Sequence, residues 1–146
     1  MTAAKAAESG LLLDTHVWIW LALGVPGKLQ PETVARIDEA GRERRLFLSI
    51  ISVWELAMLH AKGRVHLPMP LGTWVDRALA PPELTLLPMA SPAVMVDSCT
   101  LPGEFHADPA DRLLVATARA QGVTLLTRDE KILTYAQAGH VRVVGV

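Results

Sequence analysis

The sequence has a single cysteine, Cys99. One thiol cannot close an intramolecular disulfide, so a cross-linked secreted scaffold is excluded and a reducing, cytoplasmic setting is expected. A surplus of positive charge is missing too: 14 Lys and Arg stand against 15 Asp and Glu, a net charge of -1. Proteins that hold nucleic acid through their own cations carry a basic excess. A near-neutral total therefore counts mildly against a nucleic-acid ligand, unless acids concentrated in one site bind a metal ion. Long apolar runs are absent as well. The stretch 11–23 is interrupted by Asp14 and His16 and falls short of the roughly 20 residues of a membrane span. It also lacks the basic start and small-residue cleavage site of a secretory signal, so no membrane association is expected. Internal repeats and low-complexity linkers do not occur.

What remains is a chain of 146 residues, 51% hydrophobic and 20% charged. That is enough to bury a real core as one domain, and it excludes disordered and collagen-like classes. The Ala-rich segment 1–9 is expected to be a flexible N-terminal tail, with the domain running over 10–146. Short, mainly apolar runs (11–13, 46–48, 84–87, 123–126 and 141–146) have the length and composition of buried strands. Helical spacing fills the intervals 15–23, from Pro31, 49–62, 71–80, 91–101, 108–120 and 130–136, and each stops at Gly, Pro or a polar turn. Asp108 with Pro109 behind it is the clearest helix start. Short all-apolar strands alternating with helices predict a parallel sheet of five strands covered on both faces, a three-layer α/β/α sandwich.

In such a sheet, ligands bind beyond the carboxyl ends of the strands. Asp14 closes the first strand, Asp129 follows the fourth, and Asp111 lies in the first turn of the helix leading into the fourth. Glu55 lies within the helix after the second strand, among Ile50, Ile51, Val53, Trp54, Leu56, Ala57 and Met58. Each acid has an ordinary reading: Asp14 and Asp129 as helix caps, Asp111 as a dipole-offsetting residue, and Glu55 on a solvent stripe with Ser52 and Lys62. Together they can form one acidic pocket. Four carboxylates in one pocket repel unless protonated or bridged by a cation, and hard oxygen donors suit Mg²⁺ or Mn²⁺. Activating water against a phosphodiester is the chemistry such a site does best.

Four segments carry a family resemblance: LLLDTHVWIW (11–20), SIISVWELA (49–57), LPGEFHADPADRLLVATA (101–118) and GVTLLTRD (122–129). In order and spacing they resemble the PIN-domain nucleases and, within them, VapC-type toxins of toxin–antitoxin pairs, from about Leu11 onward. The resemblance implies Mg²⁺- or Mn²⁺-dependent cleavage of RNA, with the metal-site carboxylates at Asp14, Glu55, Asp111 and Asp129 and a hydroxyl residue, Thr127, beside them. It also implies a homodimer and a cognate antitoxin protein. The chain departs from the pattern at Leu59, where relatives often carry lysine, and at Ala107 and Ala110, where they carry basic or bulky residues.

Other residues near the acids are open in role. Asp108 is a helix cap or lies at the pocket rim. Arg112 and Arg128 either grip phosphate or ion-pair with the carboxylates. His16 and His106 flank the acids and are read mainly as polar residues at helix starts. Trp18, Trp20, Trp54 and Trp74 occupy apolar helical positions, where core or dimer packing outranks base stacking. A phosphoaspartyl or phosphohydrolase protein is a rival, although the Asp-x-Asp pair of one such class is replaced here by Asp14-Thr15-His16. A non-catalytic binding module on the same fold is another.

Overall fold

A strand buried on both faces must be covered on both, so the strand and helix pattern leaves little choice of architecture. In the computed structural model, which describes residues 9–88 and 91–146, the chain alternates as expected. It runs β1 (Leu11–Leu13), α1 (Thr15–Leu23), α2 (Pro31–Arg42), β2 (Leu46–Ser49), α3 (Ile50–Ala61), α4 (Leu71–Leu79), β3 (Thr85–Leu87), α5 (Pro92–Cys99), α6 (Pro109–Gln121), β4 (Thr124–Thr127), α7 (Glu130–Ala136) and β5 (Val143–Gly145). The segment 1–9, apart from Ser9, lies outside the described residues. All strand pairings are parallel, in the order β3-β2-β1-β4-β5. This is the expected α/β/α sandwich. No helix among the described residues is long and apolar enough to cross a membrane.

The strand order reverses between β1 and β4, with β2 and β3 laid down on one side and β5 on the other. Loops leaving two such neighbours diverge and open a crevice at the carboxyl ends. Leu13 of β1 stands opposite Leu126 of β4, and the Asp14 amide donates to Leu126 O at 2.9 Å. Asp14 and Thr127 are thereby set side by side at the mouth of the crevice.

The pleat of β1 divides the core. Leu12 and Leu125 pack with Leu114, Val115 and Ile132 under α5, α6 and α7. Leu11, Leu13 and Leu126 pack with Val17, Trp18, Ile37 and Trp74 under α1, α2 and α4. Burying each such leucine contributes about 1.5–3 kcal/mol. Trp18 and Trp74, both buried, meet with ring centroids 5.5 Å apart, as their apolar spacing anticipated. Helix α3 gives Ile51 to the first cluster and Leu56 to the second. A helix that feeds two cores is apolar on most sides, which explains its lack of a clean hydrophobic stripe.

Element ends shift where local bonding decides them. Helix α5 stops at Cys99, short of Leu101, and the Thr100 hydroxyl donates to Val96 O at 2.9 Å. Strand β5 starts only at Val143, the residue paired with Leu125 of β4. Gly122 ends α6 in the left-handed conformation at φ 63°, which glycine adopts without steric cost, and turns the chain into β4.

Candidate metal centre and active site

Three helices begin at the crevice, and each is capped by an aspartate. Asp14 leads α1, accepting the Thr15 amide on Oδ1 at 2.7 Å. Asp108 leads α6, accepting the Asp111 amide at 3.1 Å. Asp129 leads α7, its Oδ1 accepting the amides of Lys131 at 2.9 Å and Ile132 at 3.0 Å. Capping and site-building are therefore not alternatives here. The helix starts that need an acceptor also point their partial positive ends into the acidic crevice.

Hydroxyl groups tie the acids to one another. Thr127, fully buried, donates to Asp14 Oδ2 at 2.5 Å and accepts the Asp129 amide at 3.0 Å. Thr15, also buried, donates to Glu55 Oε1 at 2.5 Å and lies 2.8 Å from Ser52 Oγ. Ser52 has no exposed surface, so the stripe it shares with Glu55 faces α1 rather than solvent. That places Glu55 over the crevice, in the direction that its sequence position alone left open.

The carboxyls feel one another through a poorly hydrated space. Asp111 is raised from 3.8 to about 8, first by burial and then by the charges of Asp14, Asp108, Asp129 and Glu55. Asp14, 6% exposed, is raised by burial against the lowering effect of its bonds to Thr127 and Thr15. Glu55 is raised by burial, opposed by the Thr15 bond and reinforced by Asp14 and Asp108. Such a set is poised to exchange protons for a cation.

Among the described residues, one group of potential metal donors includes a histidine whose sequence position points mainly to a helix start. His106, Asp111 and Asp129 each present a ligand atom within 4.8 Å of the others. His106 Nε2 is buried without a hydrogen-bond partner; it lies 2.9 Å from Asp111 Oδ2, without the alignment of a hydrogen bond. A buried nitrogen left unbonded is costly, and a metal would satisfy it. The donor set thus fits a divalent cation. Asp14 and Glu55 are not part of this tight group and join it through Thr127 and Thr15. The sequence signal for His106 was its place two residues ahead of the cap Asp108. Thr15 gave only its adjacency to Asp14.

The arginines beside the acids are engaged elsewhere. Arg112 donates to three carbonyls: Ser98 at 2.7 Å, Phe105 at 3.0 Å and His106 at 3.2 Å. It pins the loop that carries His106 against the end of α5, a positioning task in place of the phosphate grip or ion pair that its sequence position suggested. Arg128 donates to Val146 O and Lys28 O and lies 4.7 Å over the Trp20 ring. His16 is exposed and tilts against Trp20 at 5.9 Å.

Comparison with known proteins agrees with this fold. The PIN-domain family profile matches residues 11–138. Ribonuclease VapC22 of Mycobacterium tuberculosis is 34% identical over 125 residues, covering 86% of this chain and 91% of that one. Among solved structures, VapBC2 from Rickettsia felis, bound to a DNA fragment from its promoter, aligns with a TM-score of 0.66 at 14% identity, covering 92% of this chain and 97% of that one. FitAcB from Neisseria gonorrhoeae aligns with a TM-score of 0.61 at 24% identity, covering 91% and 95%. These two structures share the fold.

Proposed function

The chain belongs to the PIN-domain family, and from that premise we propose that it is a divalent-metal-dependent endoribonuclease, the toxin of a toxin–antitoxin pair. The observation that carries this reading is the convergence of Asp14, Glu55, Asp111, Asp129 and His106 at the β1/β4 switch point. Their shared burial leaves Asp111 protonated near neutrality until a cation arrives. Homology to a ribonuclease supplies the substrate class.

His106, Asp111 and Asp129 would hold the ion, with Asp14 beside them. When bound, a divalent cation lowers the pKa of water and offsets the charge that builds on a phosphodiester. Manganese suits the site better than magnesium, because an imidazole donor favours the softer ion of the two. Asp14 is oriented at both oxygens, by the Thr15 amide and the Thr127 hydroxyl. Glu55 is fixed at Oε1 by Thr15 and would accept the proton of the attacking water. Its raised pKa makes it a stronger base than an exposed glutamate. No side chain is asked to act as a nucleophile.

The partners follow from the same reading. An antitoxin would cover the crevice. A second copy of the chain would cover an apolar face made by Ile50, Trp54, Met95, Pro109 and Leu113, where Trp54 is 49% and Met95 38% exposed. This face adjoins Glu55 and Asp108 in sequence, so pairing would set the two crevices near the dimer seam.

Cleavage of end-labelled RNA by the purified chain in Mn²⁺, Mg²⁺ or EDTA tests the assignment. Asp14→Asn, which keeps the oxygen that caps α1, should abolish cleavage without unfolding the protein. Undiminished activity in that variant or in EDTA would sink the reading.

A further inference from the structure

A pocket of about 390 Å³ opens beside the acidic cluster, between the loop at 103–106 and one face of α7. The hydrolysis described above makes no use of it. Phe105, Tyr135 and His140 form aromatic walls, and Lys131 and Thr134 stand among the lining residues. His106 belongs both to this pocket and to the group with Asp111 and Asp129. The pocket therefore adjoins the candidate metal group through His106.

The pocket is built before any ligand enters. Ring centroids of Phe105 and Tyr135 are 4.6 Å apart, and those of Tyr135 and His140 are 5.7 Å apart. The Tyr135 hydroxyl donates to Pro102 O at 2.6 Å, tying α7 to the opposite loop. Arg119 donates to His140 O at 2.8 Å and steadies the far wall. Phe105 meets His106 edge-to-face at 4.5 Å, so the pocket wall and the candidate ligand are mechanically one unit.

The volume lies at the small end of ligand pockets, suited to a planar ring and too confined for a partner's helix. Single-stranded RNA is read by seating unstacked bases against aromatic side chains, with polar groups at the base edges. Thr134 offers such a polar group, and the lining also carries one ammonium, Lys131, and two carboxylates, Glu104 and Glu130. We propose that this pocket receives the nucleobase adjoining the scissile phosphate of single-stranded RNA, and so selects which bonds are cut. The proposal rests on the ribonuclease reading and adds to it the element that chooses the cleavage site.

Two variants test it. Thr134→Trp fills the pocket from the exposed side of α7, and His140→Ala removes one wall without adding volume, so a folding failure in the first leaves the second. A pool of short RNAs randomised around each bond is cleaved and sequenced, and KM and kcat are measured on the preferred oligonucleotide. Either variant should change base preference at one flanking position and raise KM about tenfold or more, within the range that stacking of one base contributes. kcat should stay within about twofold, because uniform binding is what is lost, and stabilisation by Mn²⁺ should be unaltered. Unchanged preference and KM in a folded variant would overturn the proposal. Absence of cleavage by the wild type would count instead against the ribonuclease reading. Anisotropy of a fluorescent RNA oligonucleotide in Mn²⁺ would then still decide the pocket: a tenfold loss of affinity in the filled variant upholds it, and equal affinity overturns it.

Discussion

Filling the crevice with a divalent cation should release protons in an amount that the structure specifies. Asp111 is held at about 8 by burial and by the surrounding acids. At pH 7 a carboxyl with that pKa is about nine-tenths protonated, and a metal takes it as the carboxylate. Each bound ion should therefore displace about 0.9 proton from Asp111 alone at pH 7 and about 0.1 at pH 9. Asp14 and Glu55 are shifted in the same direction. Affinity should accordingly climb by up to about tenfold per pH unit from pH 6 and flatten above about 8. The linked effect on stability has a definite sign. Between the ordinary 3.8 and about 8 the folded state binds more protons at Asp111 than the unfolded state does. The contribution of Asp111 to the stability of the metal-free protein therefore falls as pH rises through that window. Stabilisation by metal should be largest at its upper end. Calorimetric titration with Mn²⁺ in two buffers of different ionisation enthalpy measures the released protons directly. Asp111→Asn should reduce the release at pH 7 by about 0.9 and make the metal-free protein less sensitive to pH. Zero proton release at pH 7, or an affinity flat between pH 6 and 8, would refute the coupled acidic pocket.

Three further outcomes are expected. Thr127→Val keeps the shape of a fully buried side chain but removes the donor to Asp14 and the acceptor for the Asp129 amide; it should cost about 1–3 kcal/mol in urea unfolding, and a loss below 0.5 would mean that the hydroxyl does not organise the acids. Arg112→Ala frees the loop that carries His106 and should weaken Mn²⁺ binding by about 10–100-fold, the usual effect of losing a support behind a ligand; unchanged affinity would remove either the strut or the ligand from the account. Trp54→Glu places a charge on the apolar face of α3 and should convert a dimer to a monomer in sedimentation equilibrium, with stability shifted by no more than about 0.5 kcal/mol as for an exposed site. A wild type that is already monomeric at micromolar concentration would discard that interface.

The fold was legible because its signals are local and redundant. Leu11–Leu13 and Thr124–Thr127 are too short and apolar to be anything but buried strands, and the helix starting after Asp108 announces itself by its cap and its proline. Element ends were less legible. The start of β5 is decided by a partner residue in β4, and no property of residues 141 and 142 themselves reveals that. The strand order was likewise not written in any one segment, although it is what puts Asp14 beside Thr127.

The site divides along the same line. Asp14 and Asp129 could be placed from sequence because they terminate strands, and strand ends have a known functional edge. Glu55 could not, since a helix shows a carboxylate to whichever neighbour packs against it, and only the contact with Thr15 decides that neighbour. His106 was harder still. It lies in the loop between α5 and α6, outside any periodic element, and its direction is imposed by Arg112 on the loop backbone and by Phe105 on the ring. Of the two, Arg112 reads from sequence as a phosphate contact or an ion pair, and Phe105 carries no functional signal. A cap residue carries its geometry with it, because the helix it begins dictates where its oxygens go. A loop residue borrows its geometry from whatever holds the loop. The acids that double as caps were therefore the readable part of this centre, and the one nitrogen donor became visible only once its supports were in place.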